Sequence, residues 1–281
     1  MTADANQEQA DFWDGIASNW IEAERHSRIV SDAFGDEAMA FLDARAGERV
    51  LDIGCGTGQT TAMLSALVAP DGAALGVDIA PGMIAEAQRR YGDLATASFA
   101  VADPQVDDLG GQRFDAGYSK FGVMFFADPA AAFANIRTLL TPSGRLAFCC
   151  WGDVFSNEWM LLAGMAVASV TGALPPMPGP GEPGPMSLAD PDLLNDLLDA
   201  AGYTEIEVTP MDHLIDRPEA DVEAFVDMAK RIGPVGGALR ESDDERLSER
   251  ILASVRETLH SKVTNGRLHL TASANIVSAR A

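Results

Sequence analysis

Short apolar runs alternate with segments of helical periodicity from about residue 48 onward. Runs of four to eight apolar residues bounded by turn signals are typical of buried strands, whereas apolar residues three and four apart are typical of helices. The pattern predicts strands at 49–54, 73–78, 98–103, 114–121 and 145–151, with helices between them at 60–68, 81–91 and 130–140. Strands that alternate with helices form βαβ units, so we expect an α/β fold with a mostly parallel sheet.

The alternation breaks after residue 151. Residues 152–187 hold an apolar helical stretch and then the loop PPMPGPGEPGP, whose many prolines and glycines exclude helix and central strand. Two more strands are predicted at 203–211 and 266–279, with helices at 190–201, 217–231 and 241–261. We therefore expect four parts: N-terminal helices over residues 1–45, a core at 46–151, an insertion at 152–187, and a C-terminal part of the sheet at 188–281 that carries a helical cap at 212–265.

A glycine loop follows the first predicted strand. Gly54, Gly56 and Gly58 stand between that strand and the next helix, where glycine lets the chain turn sharply and lets a ligand lie against the backbone. Asp78 ends the second predicted strand, 20 residues beyond Gly58, at a position suited to the ribose hydroxyls of an adenosine group. The G-x-G-x-G spacing differs from the G-x-G-x-x-G loop that seats a pyrophosphate, and Asp52 would repel a pyrophosphate but suits an ammonium group.

Several motifs together resemble a known family. The segments VLDIGCGTGQTT, GVDIAPGMIAEA, VAD, FDAGYSKFGVMFF and LLTPSGRLAF occur in order between residues 45 and 151. They are similar to the class I S-adenosylmethionine (SAM)-dependent methyltransferases, particularly the small-molecule branch with the ubiquinone and menaquinone C-methyltransferases. The resemblance implies a Rossmann-like, seven-stranded, mostly parallel sheet, and a cofactor that leaves as S-adenosylhomocysteine.

The resemblance also implies cofactor contacts for individual residues. Asp52, with the backbone of Gly54 and Gly56, would meet the methionine end, and Gly58 would complete the cofactor-binding loop. Asp78 would hold the ribose, and Ile79 and Met83 would line the adenine. Asp103 would face the adenine amino group with Ala102 beside it, and Ser119 would border the sulfonium and the acceptor. An N-terminal aromatic residue, Trp20 or else Trp13, would close over the cofactor. Core packing is the alternative for both tryptophans, Ile79 and Met83, while Asp78 and Asp103 could instead cap a helix and end a strand.

Two histidines are candidate general bases if the acceptor must lose a proton. His26 is predicted to follow the N-terminal helix and His213 to follow a late strand, so that both could reach the carboxyl edge of the sheet, where ligands bind in open α/β sheets. A structural or solvated histidine is the alternative for each. Methyl transfer needs alignment more than covalent help, and the enzyme could work without a dedicated base.

The composition of the chain limits which classes of binding partner are expected. With a formal net charge of −22 the chain would repel nucleic acids and anionic membranes, so we expect neither as a partner. Its longest apolar stretch, Met160 to Leu174, is too short to span a bilayer. Three cysteines and no signal peptide indicate a reduced, cytoplasmic protein without a metal site. We expect it to act as a monomer or a homodimer.

The acceptor pocket is predicted outside the common core. Apolar and aromatic residues there indicate a small hydrophobic acceptor; they are Phe121, Phe125, Trp151, Trp159, Met160 and Met177. Two other functions stay open: a Rossmann oxidoreductase that uses NAD, and a SAM-binding protein that does not transfer methyl groups or uses the sulfonium for other chemistry.

Overall fold

The computed structural model describes residues 3–176, 178 and 182–281. The helices are α1 Ala3–Leu42, α2 Gln59–Val68, α3 Pro81–Tyr91, α4 Pro129–Leu139, α5 Glu158–Thr171, α6 Pro191–Ala200, α7 Val222–Arg231, α8 Gly233–Arg240 and α9 Glu245–His260. The strands are β1 Arg49–Ile53, β2 Ala73–Asp78, β3 Ala97–Val101, β4 Phe114–Lys120, β5 Leu140–Trp151, β6 Thr204–Pro218, β7 Val263–Thr264 and β8 Arg267–Arg280. Met177, assigned above to the acceptor pocket, lies outside the described residues, as does part of the predicted 175–185 loop.

The strands form one mixed sheet in the order β3-β2-β1-β4-β5-β8-β6. The first five are parallel, β8 runs antiparallel to both β5 and β6, and the two-residue β7 pairs with β8. This arrangement confirms the predicted Rossmann-like fold of seven mostly parallel strands, with β7 as a short addition. Because β1 to β5 are parallel, the segments that follow them meet at one edge of the sheet.

Helix α1 is a single helix of 40 residues, about 60 Å long at 1.5 Å per residue. Its second half packs on the sheet, where Phe34 and Leu42 are fully buried. The Tyr118 hydroxyl donates to the carbonyl oxygen of Gly35 at 2.9 Å, and Arg145 Nε donates to that of Leu42 at 2.9 Å. The first half of α1 is left to extend over the carboxyl edge.

The C-terminal third differs from its sequence prediction. Strand β6 does not stop at residue 211 but pairs with β8 as far as Pro218, so residues 212–218 are strand instead of cap helix. Helix α7 consequently begins at Val222, and the cap contains an unpredicted helix, α8, whose three glycines give it a low helical propensity. Long-range pairing and packing here outweigh local preference.

Two strand boundaries also differ slightly from their predicted positions. Strand β3 ends at Val101 instead of residue 103, and β5 already begins at Leu140, so the TPSG segment at 141–144 lies within the strand. Among the described residues, no helix is long and apolar enough to cross a membrane. Each of the three cysteines is buried as a free thiol.

The burial of Phe34 makes a testable prediction about how α1 is anchored. Replacing Phe34 with Ala removes a fully buried ring and should lower the free energy of unfolding by about 3–5 kcal/mol. The matched control is Phe155→Ala, whose ring is 77% exposed and whose loss should change stability by less than about 0.5 kcal/mol. Urea denaturation measures both, and equal effects would contradict the packing of α1 against the sheet.

Candidate functional site

A cavity of about 1150 Å³ opens at the carboxyl edge of the sheet. One part, the glycine-loop side, is lined by Gly54–Thr57, Asp78, Ile79, Met83 and Asp103. The other part, the cap side, is lined by apolar residues of α5, α7, α8 and α9 and by the aromatic residues after β4 and β5. Helix α1 contributes to the wall of both parts, so the cavity is enclosed by elements from nearly the whole chain.

The three glycines of the loop all have positive φ angles, but they differ in what surrounds them. A Cβ on Gly54 would lie 2.9 Å from the Cα of Gly122, and a Cβ on Gly58 would lie 2.7 Å from the Phe99 ring. A Cβ on Gly56 would meet no atom within 4 Å. Gly54 and Gly56 line the cavity, whereas Gly58 only begins α2 and packs behind it. The loop therefore presents bare backbone to a ligand at Gly56.

Asp78 stands beside this loop at the end of β2. Its carboxylate accepts hydrogen bonds from the backbone N–H groups of Gly56, at 2.9 Å, and Ala80, at 3.0 Å. These bonds lower the pKa of the carboxyl group, but burial raises it more, so the net shift is upward. Each oxygen accepts one bond and keeps a lone pair for a ligand hydroxyl.

Asp52 is fully buried in β1, just behind the cavity wall. Thr60 Oγ1 and Thr61 Oγ1 both donate to its Oδ2 at 2.6 Å, and its Oδ1 has no partner. Burial raises the pKa of Asp52 to about 6, although the two threonine hydroxyls and the charge of Lys120 oppose the shift. An unpaired buried carboxylate oxygen is costly, and it marks a place where a ligand donor would be stabilised.

Asp103 lines the cavity beyond the end of β3 and contacts the start of α1. Its Oδ2 accepts a hydrogen bond from the Asn6 side chain, and its Oδ1 accepts one from the backbone N–H of Gln105 at 2.9 Å. Gln105 Nε2 donates in turn to Asn6 Oδ1 at 2.9 Å. Ala102 donates its backbone N–H to the carbonyl of Asp78 and is not among the described residues that line the cavity. Burial raises the pKa of Asp103.

The N-terminal aromatic residues line the cavity over its glycine-loop side. Trp13 and Trp20 both line the cavity with ring centroids 5.7 Å apart, and Trp13 contacts the edge of Phe125 at 4.6 Å. Ile79 and Met83 face the same space. Ligand contact and core packing are therefore not exclusive alternatives for these residues, because their side chains pack on each other and also form the cavity wall.

Ser119 has a structural position instead of the predicted one at the reacting centre. It is fully buried, donates to the carbonyl of Ile53 at 2.7 Å and accepts from the N–H of Gly122 at 3.2 Å. It is not one of the described residues on the cavity wall. Its hydroxyl joins the ends of β1 and β4, which holds Gly54 against Gly122.

The two candidate bases do not reach the cavity. His26 lies within α1, not after it, with Nδ1 3.6 Å from the Asp227 carboxylate of α7. His213 lies within β6, paired with Ala272, and its ring packs against Phe34 at 5.9 Å. Neither belongs to the described lining of the cavity. The predicted positions were wrong because α1 and β6 both continue past the predicted ends.

Sequence reasoning missed the charged residues that join α1 to the site. Glu24 accepts a hydrogen bond from Thr57 Oγ1 of the glycine loop at 2.5 Å and pairs with Arg90 of α3. Lys120, at the end of β4, donates to Asp32 at 2.8 Å. Glu24 and Lys120 both line the cavity. No motif marks these contacts, because the partners are far apart in sequence.

The buried carboxyl group of Asp52 predicts a pH effect on stability. Its folded pKa of about 6 exceeds the usual 3.8, so protonation favours the folded state and the stabilisation is lost as pH rises through 6. Relative to the Asp52→Asn variant, the wild type should lose about 2 kcal/mol of unfolding free energy between pH 4 and pH 7, because the unfolded carboxyl group is already partly ionised at pH 4. The exposed Asp71, changed to Asn, serves as control. Urea denaturation at both pH values tests this, and parallel curves for wild type and Asp52→Asn would refute it.

Comparisons with known proteins agree with this geometry. Residues 50–144 match the model of a methyltransferase domain. Aklanonic acid methyltransferase DauC of Streptomyces sp. (strain C5) is 38% identical over 104 residues, which cover 36% of this chain and 47% of the relative. The demethylmenaquinone methyltransferase of Symbiobacterium thermophilum is 31% identical over 150 residues, which cover 50% and 57%. The chain thus spans about half the length of these curated relatives.

Solved structures share the fold. The YcgJ protein of Bacillus subtilis superposes with a TM-score of 0.52 at 16% identity over 89% of this chain and 97% of that protein. Mycolic acid cyclopropane synthase CmaA1 gives 0.52 at 16% identity over 89% and 83%. At such identities only the architecture is shared. With the motifs in register, the domain formed by residues 50–144 belongs to the class I SAM-dependent methyltransferases, as its sequence predicts.

Proposed function

We propose that this chain transfers a methyl group from SAM to a small hydrophobic or aromatic organic acceptor. The observation that carries the proposal is that three features lie together at the glycine-loop side of the cavity, two on its wall and one directly behind it. These are the bare backbone at Gly56, the Asp78 carboxylate and the unpaired Oδ1 of Asp52. They lie within or beside the loop of the methyltransferase domain.

The chemistry of these groups fits SAM. The ribose hydroxyls would donate to the free lone pairs of Asp78, and the ammonium of the methionine part would supply the donor that Asp52 Oδ1 lacks. Gly54 and Gly56 leave space for that part, Ile79 and Met83 flank the adenine, and Asp103 accepts from its amino group. The fit supports contacts for the residues on the wall, whereas Gly58, Ala102 and Ser119 stand behind it and support the loop.

The protein contributes position and exclusion of water. SAM carries its methyl group on a sulfonium, so the intrinsic reactivity belongs to the cofactor. The cavity walls must hold the acceptor atom in line with that group, and such alignment is worth about 7–11 kcal/mol. Trp13 and Trp20 cover the glycine-loop side and keep water from it. We assign no general base to His26 or His213, which lie away from the cavity.

The proposal also includes the expected partner class, cellular setting and oligomeric state. The net charge of −22 favours a small-molecule acceptor over nucleic acid, and three buried free thiols favour a reducing, cytoplasmic setting. A monomer or a homodimer is compatible with the site, because every group named above comes from one chain.

Loss of the Asp78 carboxylate should weaken SAM binding. The Asp78→Ala variant removes hydrogen bonds between a charged group and the ribose, so we expect a loss of about 1.5–3 kcal/mol, or roughly 10- to 150-fold in Kd. Asp71→Ala removes an equal charge from the turn before β2, at the opposite edge of the sheet, and should leave Kd unchanged. Calorimetry measures both variants.

Three further titrations distinguish the candidate functions. SAM and S-adenosylhomocysteine should bind in the micromolar range, and NADH should not. Binding of NADH alone would favour the oxidoreductase. If SAM binds, mass analysis of acceptor screens decides between methyl transfer, which yields S-adenosylhomocysteine and a methylated product, and a SAM-binding protein with other chemistry.

A folded Asp78→Ala variant with unchanged affinity for SAM would remove Asp78 from the site.

A further inference from the structure

The two walls of the cap side differ in polarity. Apolar side chains of α5 and α9, such as Met160, Val167 and Ile251, form one wall. The facing wall comes from α1 and the end of β4, and it is polar. Ser27, Arg28 and Ser31 share one face of α1, since they are spaced three and four residues apart. A ligand in this space would therefore turn an apolar body toward the cap and a polar group toward α1.

The polar wall carries two cations that share one carboxylate. Lys120 Nζ donates to Asp32 Oδ1 at 2.8 Å, and Arg28 Nε donates to Asp32 Oδ2 at 2.8 Å. Asp32 therefore engages only part of the donors of these two side chains. Within the described part of the chain, the terminal amino groups of Arg28 and the remaining N–H groups of Lys120 have no hydrogen-bond partner. In a chain of net charge −22, such spare donors at a cavity wall are a distinctive feature.

The other charges near this wall are acidic or are paired elsewhere. Glu24 is occupied by Thr57 and Arg90. Asp52 is a second carboxylate close enough to Lys120 for the lysine to lower its pKa, but it lies behind the wall and takes its hydrogen bonds from two threonines. At the far rim, Arg240 and Glu241 are neighbours of opposite sign. Among the described residues of this wall, the cationic donors left without a hydrogen-bond partner therefore belong to Arg28 and Lys120.

An aromatic surface lies next to these donors. Phe121 follows Lys120 directly and stacks on Trp151, with ring centroids 3.9 Å apart and planes 20° apart. Trp159 continues this aromatic surface at an angle, with its ring centroid 5.1 Å from that of Trp151 and its plane tilted by 55°. The neighbouring Gly122 touches Gly54, so Lys120 stands where the cap side meets the glycine-loop side. An aromatic ring packed on this surface would bring its substituent to Lys120.

We propose that Arg28 and Lys120 bind an ionised oxygen of the acceptor, which is an aromatic acid, either a carboxylic acid or an acidic phenol. The inference rests on the proposed function and deepens it by naming the acceptor class and two specificity-determining residues. The apolar body of the acid packs against the cap and the aromatic surface, and its oxygen takes the donors that Asp32 leaves free. An oxygen that is already ionised needs no general base, which agrees with the position of both candidate histidines away from the cavity.

Calorimetry with matched probes tests the proposal. The probes are 2-naphthoate and the uncharged 2-naphthamide, which share one apolar body, and 4-nitro-1-naphthol, which is ionised at neutral pH. They are titrated at fixed salt into protein with and without S-adenosylhomocysteine. We expect at least one of the two anions to bind about tenfold more tightly than the amide. The anion that shows the preference identifies the carboxylate or the phenolate class.

Three variants separate charge recognition from a structural role. Lys120→Met should abolish the preference for the anion while the amide still binds, which shows an intact cavity. Asp32→Asn should increase the preference several-fold, because it removes the competing carboxylate; a purely structural tether would not give this gain. The control Arg25→Leu removes an exposed cation of α1 that does not line the cavity, and it should leave the preference unchanged.

The outcomes distinguish this inference from the proposed function. Equal binding of anions and amide in the wild type, or a preference that survives in Lys120→Met, would overturn the inference even if S-adenosylhomocysteine binds. If S-adenosylhomocysteine fails to bind but the anion preference and its response to the variants are present, the proposed function falls and the anion site stands. If Lys120→Met loses the binding of both the amide and the anion, the Asp32→Asn variant decides. The inference is then overturned if Asp32→Asn does not increase the preference for the anion.

Discussion

A carboxylate in the buried part of a central strand is the constraint on which the site depends. Asp52 cannot reach water, so the first turn of α2 supplies two threonine hydroxyls to one of its oxygens. Those bonds fix where α2 begins, and hence the path of the glycine loop between β1 and α2. The same loop is held from the other side by Ser119 and the contact between Gly54 and Gly122. The second Asp52 oxygen stays unpaired for a ligand donor.

Helix α1 turns this edge into an enclosed cavity. It is anchored on the sheet by its buried second half and contacts the loops through its first half. Asn6 meets Asp103, Asp14 accepts from the N–H of Gly82 at 2.8 Å, and Glu24 meets Thr57. These contacts join polar side chains of α1 to the segment after β3, to the first turn of α3 and to the glycine loop. A ligand that shifts these loops would therefore also affect how firmly α1 closes the cavity.

The two parts of the cavity differ because different elements form their walls. The parallel core, which matches a methyltransferase domain, provides the glycine loop and the acidic residues, whereas the cap and α1 provide the walls of the cap side. The apolar residues of the cap cannot by themselves orient an acceptor, since the hydrophobic effect has no direction. The orientation of an acceptor has to come from the few polar groups on the wall opposite the cap. Arg28, Lys120 and Asp32 are charged groups in that position.

The sequence by itself determined the core of the fold and most of the glycine-loop side of the cavity, because these depend on local patterns. Apolar runs, the three glycines and Asp78 at the end of β2 act within a few βαβ units, so their spacing predicts their place. Tertiary structure alone decided the extent of β6, the helix α8, the displacement of His26 and His213 from the site, and the pairing of Lys120 with Asp32. These depend on residues distant in sequence, and local propensity contains no information about which distant segment a strand or a charge will meet.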